Sequence, residues 1–171
     1  MILHCTHKLL HDLGFKPKDV PDALSSRPLL SWHANVFRVL RQKVVVLVND
    51  QTFFSIVLPG MKKVYYADFP NIVRLCLQKT MISEGYPIEY VNFLMAESGI
   101  TYARTCNRQV ISVMNDLVRH YTCDFEDAGS CDSNIVTWTQ QRTNRIPFLA
   151  GTRKSWFPIE RLAADIKAQL Q

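Results

Sequence analysis

Between Leu29 and Leu58 the chain alternates, and that alternation limits its folding more than any other feature. Leu30, Trp32, Ala34 and Val36 fall on one side of an extended backbone, and Ser31, His33 and Asn35 on the other. The runs Val44–Val48 and Phe53–Leu58 follow, each introduced by a short turn-forming segment, Arg41-Gln42 and Asn49–Thr52. The expected unit is a three-stranded antiparallel meander that ends at Pro59-Gly60, with a short strand at Ile2–Cys5 and a last one near Ile100–Ala103.

After the meander the apolar period lengthens to that of a helix. Helices are expected from Asp68 to Gly85, from Pro87 to Glu97, and from Asn107, a good cap, to Tyr121. In the last of these Val110, Met114, Leu117 and Tyr121 form the apolar stripe, while Arg108, Ser112, Asn115 and Arg119 form a polar one. The segment from Cys123 to Ser133 is acidic and turn-rich. It places a boundary between a core domain, 1–122, and a basic, aromatic helical extension, 123–171, in which Pro158 opens an amphipathic helix. The fold class is therefore α+β: an antiparallel β-meander packed against helices, with a C-terminal helical extension.

Four segments resemble an uncharacterised bacterial domain family of unknown function. They are Ile2-Leu-His-Cys-Thr-His-Lys-Leu-Leu, Ser31-Trp-His-Ala-Asn35, Val44-Val-Val-Leu-Val-Asn-Asp50 and Thr105-Cys-Asn-Arg108. Similar segments also occur ahead of modules like the plasmid pRiA4b ORF-3 protein. The resemblance spans roughly residues 1 to 120 and implies a bacterial origin, but it implies no activity, cofactor or catalytic residue. Where the family more often has Thr-Lys-Thr-Lys-Asn-Arg, this chain ends the segment Arg104-Thr-Cys-Asn-Arg108, without the lysines.

Two constellations carry chemistry. If Arg41-Gln42 is a two-residue loop, His33 lies opposite Asp50 and Asn35 opposite Val48. A carboxylate there fixes the tautomer of the imidazole and makes His33 and Asp50 a candidate acid–base pair. The plainer alternative is that His33, Asn35 and Asp50 satisfy backbone groups at the sheet end. Secondly, Arg104, Asn107 and Arg108 surround a helix start, where free N–H groups and the helix dipole favour an anion; the polar stripe adds Asn115. The alternative there is an ordinary cap with solvated arginines. Cys106 sits in the same electropositive stretch, where its thiol is expected to be more acidic than usual.

Twenty Lys and Arg against 15 Asp and Glu give a charge of +5, which permits an acidic partner without requiring one. The extension combines Arg142, Arg145, Arg153 and Lys154 with Trp138, Phe148, Trp156 and Phe157, types used for nucleic-acid contact and more often for docking the extension. His7 with His11, near His4 and Cys5, and His120 with Cys123 and Cys131 lack standard metal-ligand spacing, so no metal or cofactor is expected. Five cysteines without a paired framework, no signal-peptide pattern and no membrane-length apolar run point to a cytoplasmic protein away from membranes. The leading expectation is a non-enzymatic module that binds an anionic ligand, nucleic acid or nucleotide, through Arg104, Asn107, Arg108, Asn35 and Asn115. The alternatives are a small hydrolase or transferase acting on a phosphorylated substrate, with His33 as acid or base, and a protein-interaction module using the C-terminal aromatics.

Overall fold

The computed structural model describes residues 1–22, 27–96, 99–148 and 155–171. Five strands form one mixed sheet in the order β4-β3-β2-β1-β5: β1 (Ile2–Cys5), β2 (Ser31–Val39), β3 (Gln42–Asn49), β4 (Ser55–Leu58) and β5 (Thr101–Arg104). The meander β2-β3-β4 is antiparallel as expected. Strands β1 and β5 join it in parallel, so the sheet is mixed and not wholly antiparallel; each is reached by a helical crossover, which parallel pairing requires.

The β2–β3 turn falls one residue earlier than the spacing suggests. Leu40 and Arg41 have φ of 47° and 63°, the paired positive φ values of a type I′ turn, and Val39 pairs with Gln42. Its twist matches that of the strands, which offsets the usual cost of positive φ outside glycine, roughly 1–2 kcal/mol per residue. His33 consequently lies opposite Val48 and Asn35 opposite Val46, not Asp50 and Val48. A slip of two leaves every side chain on its expected face.

Both faces of the sheet are covered. Trp32, Leu47, Phe54 and Leu3 pack on one side beneath α1 (His7–Asp12), α2 (Phe69–Ser83), α3 (Ile88–Met95) and α6 (Pro158–Leu170). Val44, Val46 and Val48 pack on the other beneath α4 (Arg108–Ala128) and α5 (Ser133–Thr143), against Met114, Tyr121 and Phe125. In α2 the buried stripe is Phe69, Val73, Leu77 and Met81, while Leu75 is exposed.

Helix α4 does not stop near Tyr121. It continues through Cys123 to Ala128 and is ended by Gly129 in the left-handed conformation, φ 63°, so position 122/123 lies inside a helix and the turn is Gly129–Asp132. The extension is built into the sheet. Asn144 accepts from the Ser55 N–H at 2.8 Å and donates to the Ser55 carbonyl at 2.9 Å, and Gln140 accepts from the Val57 N–H at 2.6 Å. Two amide side chains thus occupy the outer edge of β4, where another strand would otherwise pair. Of the aromatic residues, Phe148 and Trp156 stack on each other and pack against Phe53, whereas Trp138 is exposed beneath the Arg142 guanidinium; Arg153 and Lys154 lie outside the described residues.

Removing the Asn144 amide leaves a buried N–H and a buried carbonyl unpaired. The variant Asn144→Ala is expected to lose about 2–4 kcal/mol in urea unfolding with unchanged m-value. A loss below about 0.5 kcal/mol would refute this edge-capping role.

Candidate functional site

The site forms where β3 ends and α4 begins. Asn49, wholly buried, accepts from the N–H groups of Gln51 and Thr52 and from the Thr52 hydroxyl, and donates to the carbonyls of Leu29 and Ser31. Its amide therefore shapes the whole β3–β4 loop, including Phe53 at φ 56°. Within that loop Asp50 is aimed back over the sheet, and its Oδ1 lies 2.7 Å from Nδ1 of His33. Reaching back along the strand compensates for the two-residue slip, so the expected His33–Asp50 pair forms despite the different register.

Parallel pairing of β1 with β2 sets His4 beside His33 on the face that α4 covers. The two buried rings stack with centroids 4.8 Å apart and planes at 20°. Nε2 of His33 accepts from the Asn107 N–H at 3.4 Å, so Nδ1 carries the proton given to Asp50. Nδ1 of His4 lies 3.1 Å from the Arg104 carbonyl, and its Nε2 lies 3.8 Å from Oδ2 of Asp50. Burial lowers the pKa of His4, against the upward pull of the Arg104 carbonyl and Asp50, which keeps the ring neutral at neutral pH.

Cys106 lies in the link between β5 and α4, with Sγ 3.7 Å from Nδ1 of His4. The expectation of an acidified thiol is reversed: partial burial and the carboxylates of Asp50 and Asp22 push its pKa up. Burial is the larger cause, and the two carboxylates act in the same direction. A free thiolate nucleophile is not what this position favours.

The other expected ligand-binding residues do not converge. Asn107 caps α4 through its side chain, accepting from the N–H groups of Gln109 and Val110. Arg104 is paired with Asp22 at 2.6 Å, Asn35 accepts from the Thr6 hydroxyl at 2.9 Å, and Arg108 and Asn115 are exposed on α4. In the extension, Arg142 is bonded to Asp124 and Arg145 to Glu84. The structure thus brings His33, Asp50 and Asn107 together, adds His4 and Cys106, and leaves Arg108, Asn35 and Asn115 apart.

Positive charge gathers instead around the β2–β3 turn. Two adjoining cavities, of about 650 and 840 Å³, share His11, Asp12, Arg38 and Lys43. Lys8 lines the first, and Arg41, Lys62 and Lys63 line the second. Asp12 is the one carboxylate among the described lining residues, and it is held by Lys43 at 2.6 Å and by the Tyr66 hydroxyl at 3.3 Å. No run of basic residues announces this cleft in the sequence, because its cations come from α1, the hairpin tip and the segment after β4.

The fold and the centre define an α+β domain organised around a buried histidine–carboxylate pair at a helix start. The chain belongs to a family described as a domain of unknown function, DUF6933, whose model matches residues 2–161. The match extends beyond the first 120 residues through α5 and into α6, in keeping with the amides that α5 lends to β4. No curated protein matches the chain.

Removing the carboxylate while leaving the loop in place isolates its role. Asp50→Ala leaves the buried His33 Nδ1–H unpaired and is expected to cost about 1–3 kcal/mol of unfolding free energy, read by chemical denaturation. Stability equal to that of the parent chain would mean that the pair does not hold this end of the sheet.

Proposed function

We propose that this protein is a binding module for an anionic, phosphate-bearing ligand, nucleic acid or nucleotide, taken up at the cationic cleft beside the β2–β3 turn. The observation that carries this reading is the lining: Lys8, Arg38, Arg41, Lys62 and Lys63 surround adjoining cavities whose single described carboxylate is already matched by Lys43. Such an arrangement attracts phosphates and leaves several donors to receive them. The half-buried ring of Phe37 in the first cavity offers an apolar surface beside the charges. All five cysteines are free, and no helix among the described residues is long and apolar enough to cross a membrane. The free thiols support a reducing, cytoplasmic setting.

A second reading is a hydrolase or transferase acting on a phosphorylated compound with His33 as acid or base. The 2.7 Å contact between His33 and Asp50 favours it; complete burial of His33 weighs against it.

Fluorescence titration with a labelled oligonucleotide and with a labelled nucleoside triphosphate, at low and rising salt, tests the first reading. Arg41→Ala and Lys63→Ala should each weaken binding several-fold and reduce the salt slope by about one for a nucleic-acid ligand. Arg108→Ala should leave it unchanged. Binding that vanishes with Arg108→Ala and survives both cleft substitutions would move the site to the start of α4. Phosphoester turnover abolished by His33→Gln, with binding retained, would select the second reading.

A further inference from the structure

We infer that His4, His33 and Cys106 bind one divalent transition-metal ion of zinc-like chemistry, with Asp50 as the carboxylate that orients His33. One donor atom from each of the three lies within 4.8 Å of the others; Sγ of Cys106 is 3.7 Å from Nδ1 of His4, a nitrogen that ligates only on giving up its contact with the Arg104 carbonyl 3.1 Å away. Among the described residues this is the His, Cys, Asp or Glu group close enough to hold an ion. Two imidazoles and a thiolate are the donors such an ion prefers, the thiol proton of Cys106 passing to solvent as the ion binds.

Tetrahedral bonds of about 2.0–2.3 Å place neighbouring donors roughly 3.3–3.6 Å apart, so donors up to 4.8 Å apart must close by about 1.2–1.5 Å. The needed movement falls on Cys106, which is exposed and lies in the irregular link between β5 and α4. The histidines are fixed by buried strands. Nε2 of His33 has a lone pair met only by the long 3.4 Å contact from Asn107, and its Nδ1–H is held by Asp50. A carboxylate behind a ligating imidazole is the usual second-sphere arrangement that sets its tautomer and orientation. With two buried donors and an exposed one, the remaining coordination position opens on the solvent side, as in sites where a bound water or substrate completes the shell. The cleft shares none of these four residues, so this site and that one stand or fall separately.

Titration of the chelator-treated full chain with cobalt(II) tests the assignment. We expect one ion per chain, a thiolate-to-cobalt charge-transfer band, and displacement of cobalt by zinc. Cys106→Ser, at an exposed position, should remove the band and leave the circular dichroism unchanged, and Asp50→Asn should weaken binding 10–100-fold. Cys123→Ser should change nothing. Absence of the charge-transfer band in the parent chain, or its persistence in folded Cys106→Ser, would overturn the proposal. Its loss with Cys123→Ser would do so too.

Discussion

One buried amide holds the loop on which the site depends. Asn49 fills its hydrogen-bonding capacity with the backbone of 29–31 on one side and of the β3–β4 loop on the other. Because both donors and acceptor are engaged, the loop has little freedom, and Asp50 inside it must point across the sheet. Asp50 then fixes His33, and His33 meets the backbone of Asn107 where α4 begins. A single chain of hydrogen bonds therefore runs from the sheet into the helix that covers its second face. His33, its middle member, is wholly buried beneath that helix, where an unpaired polar group is costly and the arrangement resists alternatives.

The sheet's two faces and its exposed edge explain how the C-terminal extension is joined to the rest. Alternating valines in β3 supply apolar groups to both sides, so each side needs a helical cover. Helices α4 and α5 provide one cover and α6 helps provide the other. Gln140 and Asn144 also serve β4 directly, since a four-residue edge strand otherwise leaves its outer backbone groups unpaired. Gln51, next to Asp50, donates to Asp165 of α6 at 2.7 Å, which ties the same loop to the last helix.

Much of this was legible in the sequence because periodicity reports which face a residue occupies. The meander, the helix starts at Asn107 and Pro158, and the α4 stripe of Val110, Met114, Leu117 and Tyr121 follow from spacing alone. The His33–Asp50 pair was also legible, although its register was not: a type I′ turn without glycine or asparagine gives no local signal, and the slip of two conserves every face. What spacing could not supply was the neighbour in the third dimension. His4 reaches His33 through parallel pairing across most of a helical crossover, and Cys106 reaches His4 over 102 positions. The cationic cleft was hidden for the same reason, its charges being scattered over three segments. Conversely, Arg104 looked available because Asp22, its partner, stands 82 positions away.

The central claim is that the Asp50–His33–Asn107 chain is closed, with the proton on Nδ1 of His33. Long-range proton–nitrogen correlation spectra of the labelled, metal-free protein read that proton directly. The account predicts a neutral His33 ring protonated at Nδ1, with an exchange-protected N–H resonance that disappears in Asp50→Ala. A ring protonated at Nε2, or one whose N–H exchanges freely with water, would contradict it.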